Sequence, residues 1–273
     1  SRPIAGVFVC LKLNSMKLLV TNDDGIDSIF LHELIHALRK AGHDLYVVAP
    51  VTEQSWTGAS KTRHRPVKSA AIDCGFGCST WTVDGTPSDC VNIALAHLLP
   101  TEVDGVVSGI NVGFNCSLGF ILASGTVAGA WEGALHGLPA LAVSQDVTEE
   151  VYSHLKEHEG EIGEELHVTL KTSAAHTARL TGELFAVMPR NSFTVHNINF
   201  PFPCLPESLV HSTVPAQVQA PGLFTPADVD GSHRLLWGNI QDVSPAEPLT
   251  DIKCLAQGAI SHSVLDYRRL GHA

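Results

Sequence analysis

Lys17-Leu18-Leu19-Val20-Thr21-Asn22-Asp23-Asp24-Gly25 decides the fold. A short apolar strand runs straight into a turn that carries two adjacent carboxylates, the place where open α/β sheets bind their ligands. The same grammar recurs along the chain. Val47-Val48-Ala49 leads to Ser55, Val106-Val107-Ser108 leads to Asn111 and Asn115, and Ser124-Gly125-Thr126 opens a helix. Four loops offering only oxygen donors point to one site.

The surrounding pattern alternates strand and helix. Strand 17–21 is followed by a helix over 28–41 that stops at Gly42, strand 45–49 closed by Pro50, and strand 105–108. This alternation predicts a parallel, doubly wound sheet. Thr86-Pro87 supplies an N-cap and a first-turn proline for a helix over 87–98, with Asp89 adding favourable charge. Residues 66–84 read as a β-hairpin around a Gly- and Cys-containing turn. Beyond Ser144 the composition shifts: 147–166 are acidic and polar, a helix covers about 161–186, and a strand runs from Val195 to Phe200. Residues 205–240 are extended and rich in Pro and Gly, an arm suited to contacts between copies, with Trp237 exposed. Three regions are therefore expected: an extension 1–15 ahead of Met16 that carries no function, a core 16–190, and a carboxy-terminal arm and oligomerisation region 191–273.

Composition narrows the partners. The 273 residues are 44% hydrophobic and 16% charged, enough for a sizeable core. A formal charge of -11 argues against a stable nucleic-acid complex or an anionic membrane surface, both of which need clustered cations. Phosphates remain accessible where a metal or a helix N-terminus supplies positive charge. Seven cysteines, odd in number and scattered over 10, 74, 78, 90, 116, 204 and 254, fit reduced cytoplasmic thiols. Cys74 and Cys78 have no second pair at zinc spacing and read as hairpin or core residues. No apolar run reaches the length of a membrane span, and the opening segment shows no cleavage pattern. The expectation is a cytoplasmic protein. Without a secretion signal, Asn115-Cys116-Ser117 is discounted as a glycosylation sequon.

The carboxylates Asp23 and Asp24, with a serine hydroxyl and an asparagine carbonyl, make a ligand set for Mg2+, Mn2+ or Ca2+ rather than zinc. An isolated Asn-Asp-Asp-Gly is equally good turn chemistry. Its position after the first strand favours the site. Ser124-Gly125-Thr126 precedes a small-residue helix over 127–136 whose free N–H groups and dipole would hold an anion, although an ordinary N-cap has the same residues. His32-Glu33-Leu34-Ile35-His36 matches the H-E-x-x-H zinc pattern literally. Leu31, Leu34, Ile35 and Leu38 already define the core face of that helix, placing the histidines on its flank and Glu33 outward.

Taken together, these segments resemble the SurE family of stationary-phase survival proteins, metal-dependent nucleoside monophosphate phosphatases. The resemblance is close over 16–145. It is carried by Asn22-Asp23-Asp24-Gly25, Ala49-Pro50 to Ser55 with Gly58-Ala59-Ser60, Ser108-Gly109-Ile110-Asn111 with Asn115, and Ser124-Gly125-Thr126-Val127 with Glu132-Gly133. It implies a three-layer, Rossmann-like, mostly parallel sheet with a smaller carboxy-terminal region exchanged between subunits of a homodimer or homotetramer. By the same resemblance Asp23, Asp24, Ser55 and Asn111 bind a divalent metal, Mg2+ or Mn2+, and Asn115, Ser124, Gly125 and Thr126 line the phosphate pocket. Thr250-Asp251 and Gly258-Ala259-Ile260-Ser261 look like the family's late motif. The departures are a loop from Asn115 to Ser124 one residue longer than usual, Ala123 in place of an aromatic or histidine, Ile29-Phe30 for a glycine-containing pair, and a tail from Arg268 without the usual acidic residue, with His272 near the late histidine.

The expected activity is hydrolysis of nucleoside 5′-monophosphates, and of 3′-monophosphates, to nucleoside and phosphate. The metal would polarise phosphoryl oxygens and acidify a bound water. Asp23, Asp24 and Thr126 form the catalytic set, with Asp24 taking the proton or attacking directly, and Thr126 and nearby amides holding the equatorial oxygens. The rivals are a noncatalytic metal- and nucleotide-binding module and a zinc peptidase built on His32 and His36.

Overall fold

The computed structural model describes residues 15–158, 162–235 and 240–269. The expected extension up to residue 14, Trp237 and His272 lie outside the described residues. The strands are β1 (Lys17–Thr21), β2 (Asp44–Pro50), β3 (Ser69–Ile72), β4 (Ser79–Val83), β5 (Gly105–Val112), β6 (Ala140–Gln145), β7 (Thr194–Phe200), β8 (Val210–Thr213), the short pair β9 (Val218–Gln219) and β10 (Gln241–Asp242), and β11 (Ile260–Asp266). The helices are α1 (Ile29–Lys40), α2 (Pro87–Ile93), α3 (Leu118–Ala123), α4 (Gly125–Leu135), α5 (Glu149–Glu157), α6 (Glu164–Phe185) and α7 (Asp251–Ala256).

Side chains alternate across a strand, so a strand buried on both faces must be apolar throughout. β1 obeys this rule: Leu18 and Val20 enter one core, and Leu19 enters another. On the first face, Leu31, Leu34, Ile35 and Leu38 of α1 pack with Leu166 and Leu170 of α6. Each fully buried leucine or isoleucine there contributes about 1.5–3 kcal/mol. On the second face, Val48 of β2 and Val106 of β5 meet Cys90 and Val91 of α2, while Ala140 and Ala142 of β6 meet Val127 and Ala130 of α4. The result is three layers, with α1 and α6 on one side of the sheet and α2 and α4 on the other.

The nine strands run in the order β3-β4-β2-β1-β5-β6-β7-β11-β8. From β4 to β7 every neighbouring pair is parallel. β3 closes one edge antiparallel to β4; on the other side β11 joins β7 antiparallel, and β8, parallel to β11, forms the edge. The chain leaves β1 toward β2 and β4 and then returns to the other side of β1 as β5. That reversal opens a crevice beyond the carboxyl ends of β1 and β5, and the candidate residues Asp23, Asp24 and Asn111 lie there.

The elements differ from expectation in specific ways. β5 continues past Ser108 to Val112, so Asn111 stands on the strand itself. A register shift between Ser108 and Asn111 permits this, with Gly109 at φ +132 lying so close to Val143 that a Cβ would fall 2.3 Å from its carbonyl oxygen. The acidic stretch after Ser144 contains a helix not expected from the sequence: Thr148 caps α5 by accepting from Val151 N–H. The hairpin is as expected, and the helix from 87 ends in a π-helical turn over Ala94–Leu98. β7, β11 and β8, all beyond residue 190, extend the central sheet.

Candidate active site

Asn22-Asp23-Asp24-Gly25 is indeed a turn, and the turn is what aims the carboxylates. Asn22 Nδ2 donates to Gly25 O at 2.8 Å, and Gln54 N–H donates to Asp23 O at 2.7 Å, lashing the turn to the loop after β2. The Asp23 side chain is buried at 3% exposure. Its Oδ1 accepts the Thr126 hydroxyl at 2.6 Å. Asp24, half-buried, accepts the Val112 N–H through Oδ2 at 3.1 Å. Burial pushes the Asp23 carboxyl up to about 6 from its ordinary value of 3.8, with the Thr126 hydrogen bond acting against it. Asp24 is pushed well above the ordinary range, by burial first and by the Asp23 charge second.

A single line of hydrogen bonds joins Asp23 to the next loops. Asn115 Nδ2 donates to Thr126 Oγ1 at 3.3 Å and to Ser144 Oγ at 2.9 Å. The Asn115 backbone is clamped by β7: its N–H donates to Asn199 Oδ1 at 2.7 Å, and its carbonyl accepts from Asn197 Nδ2 at 2.8 Å. Asp251, the first residue of α7, accepts the Ser117 N–H at 2.8 Å and the Ala216 N–H at 2.9 Å. Ser144, Asn197 and Asn199 are not among the residues expected from the sequence. The signal was there in Thr194-Val195-His196-Asn197-Ile198-Asn199-Phe200, where two asparagines share one face of a buried strand.

α4 begins directly over Asp23. Ser124 caps it by accepting from Val127 N–H at 3.0 Å, so the ordinary N-cap and the anion-holding turn are the same structure. Gly125 is forced: a Cβ there would lie 2.8 Å from Asp23 Cβ and 3.1 Å from Gln54 O. The amides of Gly125 and Thr126 fall in the first turn, where N–H groups have no intrahelical partner. Ser55 is exposed and donates to Glu53 Oε1 at 2.7 Å, and Asn111 Nδ2 donates to Gly113 O at 2.7 Å, which leaves the Asn111 carbonyl oxygen for a cation. Asp24, Ser55, Glu53, Val112, Tyr152 and Lys156 line one cavity of ≈ 420 Å³. Lys156 also reaches Glu53 at 3.3 Å.

The structure therefore joins Asp23, Thr126 and Asn115 by direct hydrogen bonds, packs Gly125 on Asp23, and opens Asp24 and Ser55 into a shared cavity. These residues fit a hard divalent ion. Burial raises the pKa of both adjacent carboxylates, the Asp23 charge raises Asp24 further, and the donors around them are oxygens. The His32-Glu33 motif is employed otherwise. His32 Nε2 lies 2.9 Å from Ile26 O with its ring edge-on to Phe76, and Glu33 is not outward but 3.3 Å from His167 of α6. Among the described residues no three or more His, Cys, Asp or Glu side chains are grouped to hold a metal, so neither this motif nor Cys74 and Cys78 gains a further zinc ligand. No single described helix is long and apolar enough to cross a membrane.

Comparison with known proteins agrees with this geometry. A protein named 5′-nucleotidase SurE from Nostoc sp. is 47% identical over 131 residues, covering 47% of this chain and 49% of that protein. Its namesake from Desulfovibrio desulfuricans is 50% identical over 131 residues, covering 48% and 50%. The chain thus spans about half the length of the curated relatives it matches. The crystal structure of SurE protein from Aquifex aeolicus superposes with a TM-score of 0.67 at 27% identity, covering 92% of this chain and 93% of that one. The family model described as survival protein SurE matches residues 18–220, and the chain belongs to the SurE family.

Proposed function

We propose that this chain is a divalent-metal-dependent phosphomonoesterase that hydrolyses nucleoside 5′-monophosphates, and 3′-monophosphates, to nucleoside and phosphate. The observation that carries this reading is the Asn115–Thr126–Asp23 line of hydrogen bonds, which ties the buried Asp23 carboxylate, with Asp24 beside it, to the start of α4. The relatives named 5′-nucleotidase SurE support the substrate class. Asp23, Asp24, Ser55 and Asn111 would hold Mg2+ or Mn2+. When bound there, the ion supplies Lewis-acid polarisation of the phosphoryl oxygens.

The chain's own groups do the rest. The Gly125 N–H, with the dipole of α4 behind it, binds a phosphate oxygen, and Asn115 and Thr126 line the same pocket, reaching phosphate by exchanging the bonds they make to Thr126, Ser144 and Asp23. Ser124 sets the helix end in register with the phosphate. Thr126 donates to Asp23 and so fixes which carboxylate oxygen is spent on the protein. Asp24, held by Val112 N–H alone on one oxygen, is the group we assign to proton transfer or attack. The nucleoside stays outside the carboxylate turn.

The finer expectations stand with this reading. Homodimers or homotetramers formed through 191–273 are supported by the exposed Phe224, Leu235 and Val243, and a cytoplasmic location by the six free cysteines among the described residues. The deciding experiment measures phosphate released from AMP, 3′-AMP and a simple aryl phosphate, with Mg2+, Mn2+ or chelator, for wild type and Asp23→Asn. Metal-dependent release that Asp23→Asn abolishes is expected. Folded wild type that releases nothing with either ion would leave a binding module instead.

A further inference from the structure

The groups that hold phosphate and cation leave one part of the reaction without a place, the alcohol that is released. The cavity of ≈ 420 Å³ shares Asp24 and Ser55 with the candidate cation site, and its lining goes on to Ile29 of α1 and to Tyr152, Leu155 and Lys156 of α5. Among the described residues, Asn115, Ser124, Gly125 and Thr126 do not line it. A cation with its waters, at about 30 Å³ per water, fills only a fraction of such a volume, which falls within the roughly 300–1,000 Å³ of small-molecule sites. There is room for a ring system beside Asp24, the group assigned to proton transfer or attack.

The lining is of two kinds. Ile29, Tyr152 and Leu155 offer apolar surface, and the charged remainder is acidic, with Asp24, Asp27 and Glu53 set against Lys156. Such a lining accepts a neutral, ring-bearing polyol and repels a further anion. The walls are held in place. Val151 and Leu155 of α5 pack against the first core. Lys156 Nζ lies 3.3 Å from Glu53 Oε2 and 5.5 Å from the centre of the Tyr152 ring, and Glu53 Oε1 accepts the Ser55 hydroxyl at 2.7 Å, so α5 is linked to a candidate cation ligand. The loop that carries Glu53, Ser55 and Trp56 bridges the carboxylate turn and the start of α4: Gln54 N–H donates to Asp23 O at 2.7 Å, and Gly58 N–H donates to Ala123 O at 2.9 Å.

We propose that the nucleoside of a monophosphate lies in this cavity, its base against the apolar wall of Ile29, Tyr152 and Leu155, and that α5 is the element that sets a preference for nucleotides over smaller phosphomonoesters. The inference rests on the phosphomonoesterase reading and adds to it the place of the leaving group. Tyr152 and Leu155 become specificity-determining residues that touch the nucleoside and neither the phosphate nor the cation. α5 has no buried residue, so either side chain can be truncated without opening a core.

The test compares AMP with ribose 5-phosphate, which keeps sugar and phosphate but has no base, for wild type, Leu155→Ala, Tyr152→Ala and Val168→Ala, the last at an exposed position of α6. A contact made equally in ground and transition states changes KM rather than kcat. Leu155→Ala and Tyr152→Ala are each expected to raise KM for AMP about fivefold with kcat unchanged, and to leave ribose 5-phosphate within about twofold. Val168→Ala leaves both substrates as in wild type. Equal losses on the two substrates, or less than about a twofold change with AMP in both α5 variants, would overturn the assignment. Adenosine, which has no phosphate to lose, is titrated against the same proteins by calorimetry. Binding that the α5 variants weaken about fivefold supports the cavity even if wild type releases no phosphate, which separates failure of this assignment from failure of the phosphatase. Wild type that binds no adenosine, or binding that neither α5 variant weakens, would overturn it.

Discussion

Asp23→Asn should abolish activity and yet, without metal, make the protein more stable. Folding takes this carboxyl to 3% exposure and raises its pKa from 3.8 to about 6, chiefly by burial. The unfolded chain therefore ionises Asp23 at lower pH than the native one. Between those values the unfolded state holds fewer protons, so stability falls as pH rises, and the whole cost is present above pH 6. About two units at ~1.4 kcal/mol each set that cost at about 3 kcal/mol, an upper bound. Asparagine has the same shape, carries no charge, and keeps an oxygen to accept the Thr126 hydroxyl. At ~2–4 °C per kcal/mol for a chain of this size, the chelator-treated variant should melt above wild type at pH 7.5, by at most about 6–12 °C. At pH 5 the gap should be roughly half as large, because native wild type has by then taken up most of the proton. Millimolar Mn2+ should raise the Tm of wild type and leave the variant unmoved. Scanning calorimetry in EDTA and in Mn2+ at both pH values measures all of this. An equal or lower Tm for Asp23→Asn in EDTA, or the same Mn2+ response in both proteins, would refute the assignment of Asp23 as a charge held for a cation.

Thr126→Val removes the 2.6 Å bond and leaves a buried carboxylate oxygen without its donor, a loss of about 1.5–3 kcal/mol that should appear as a roughly 10- to 100-fold fall in kcat/KM, while Thr126→Ser stays within about threefold. Gly125→Ala puts a methyl 2.8 Å from Asp23 Cβ; overpacking of about 1–3 kcal/mol should lower the Tm, and displacement of Asp23 should cost on the order of 100-fold in kcat. His196 Nδ1 and His262 Nε2 share a 2.7 Å hydrogen bond, and burial holds His262 near 4 and His196 below its ordinary 6.5. Both are depressed bases, so their contribution is complete above pH 6.5 and is lost as pH falls toward 4, by up to about 3 kcal/mol for His262. Urea unfolding at pH 7 and 5 should show this acid loss in wild type and a weaker one in His262→Gln.

The parts of the fold that were legible are those where burial on both faces leaves no polar residue to confuse the pattern. Leu18-Leu19-Val20 and Val47-Val48-Ala49 are of that kind, and each is followed by a turn whose chemistry is local. β11 is hidden in the sequence because Ile260-Ser261-His262-Ser263-Val264 sets a histidine between two apolar residues on one face and only serines on the other. Thr213 Oγ1 lies 2.8 Å from both Ser261 Oγ and Ser263 Oγ, which satisfies those hydroxyls through a partner about fifty residues away. The site divides in the same way. Asp23, Asp24, Asn115 and Thr126 stand in short motifs that mark them as candidates from the sequence alone. Asn197, Asn199 and Asp251 support a backbone segment some 80 to 134 residues distant, and no spacing rule connects them.

Where the chain breaks local rules is also informative. Among the described residues four non-glycine positions have positive φ, and two of them, Trp56 and Ser117, flank the site. Asp23 and Asp24 are the carboxylates that burial moves furthest, and they stand side by side. A chain selected for stability alone would relax these features one at a time, since each lies on a loop that could be rebuilt without touching the three cores. Instead they are over-determined: the Asp23 turn by Gln54 and Thr126, the Trp56 bridge by Asp23 and Ala123, and Ser117 by Asp251. Such strain persists only when the surroundings enforce it, and here the enforcing bonds run from one strained loop to the next. The loops therefore act as a unit, and removing one tie should disturb the others: Asp251→Asn, far along the chain, should weaken Mn2+ binding as well as stability. A variant that loses stability but binds Mn2+ with unchanged affinity would show that the loops are independent.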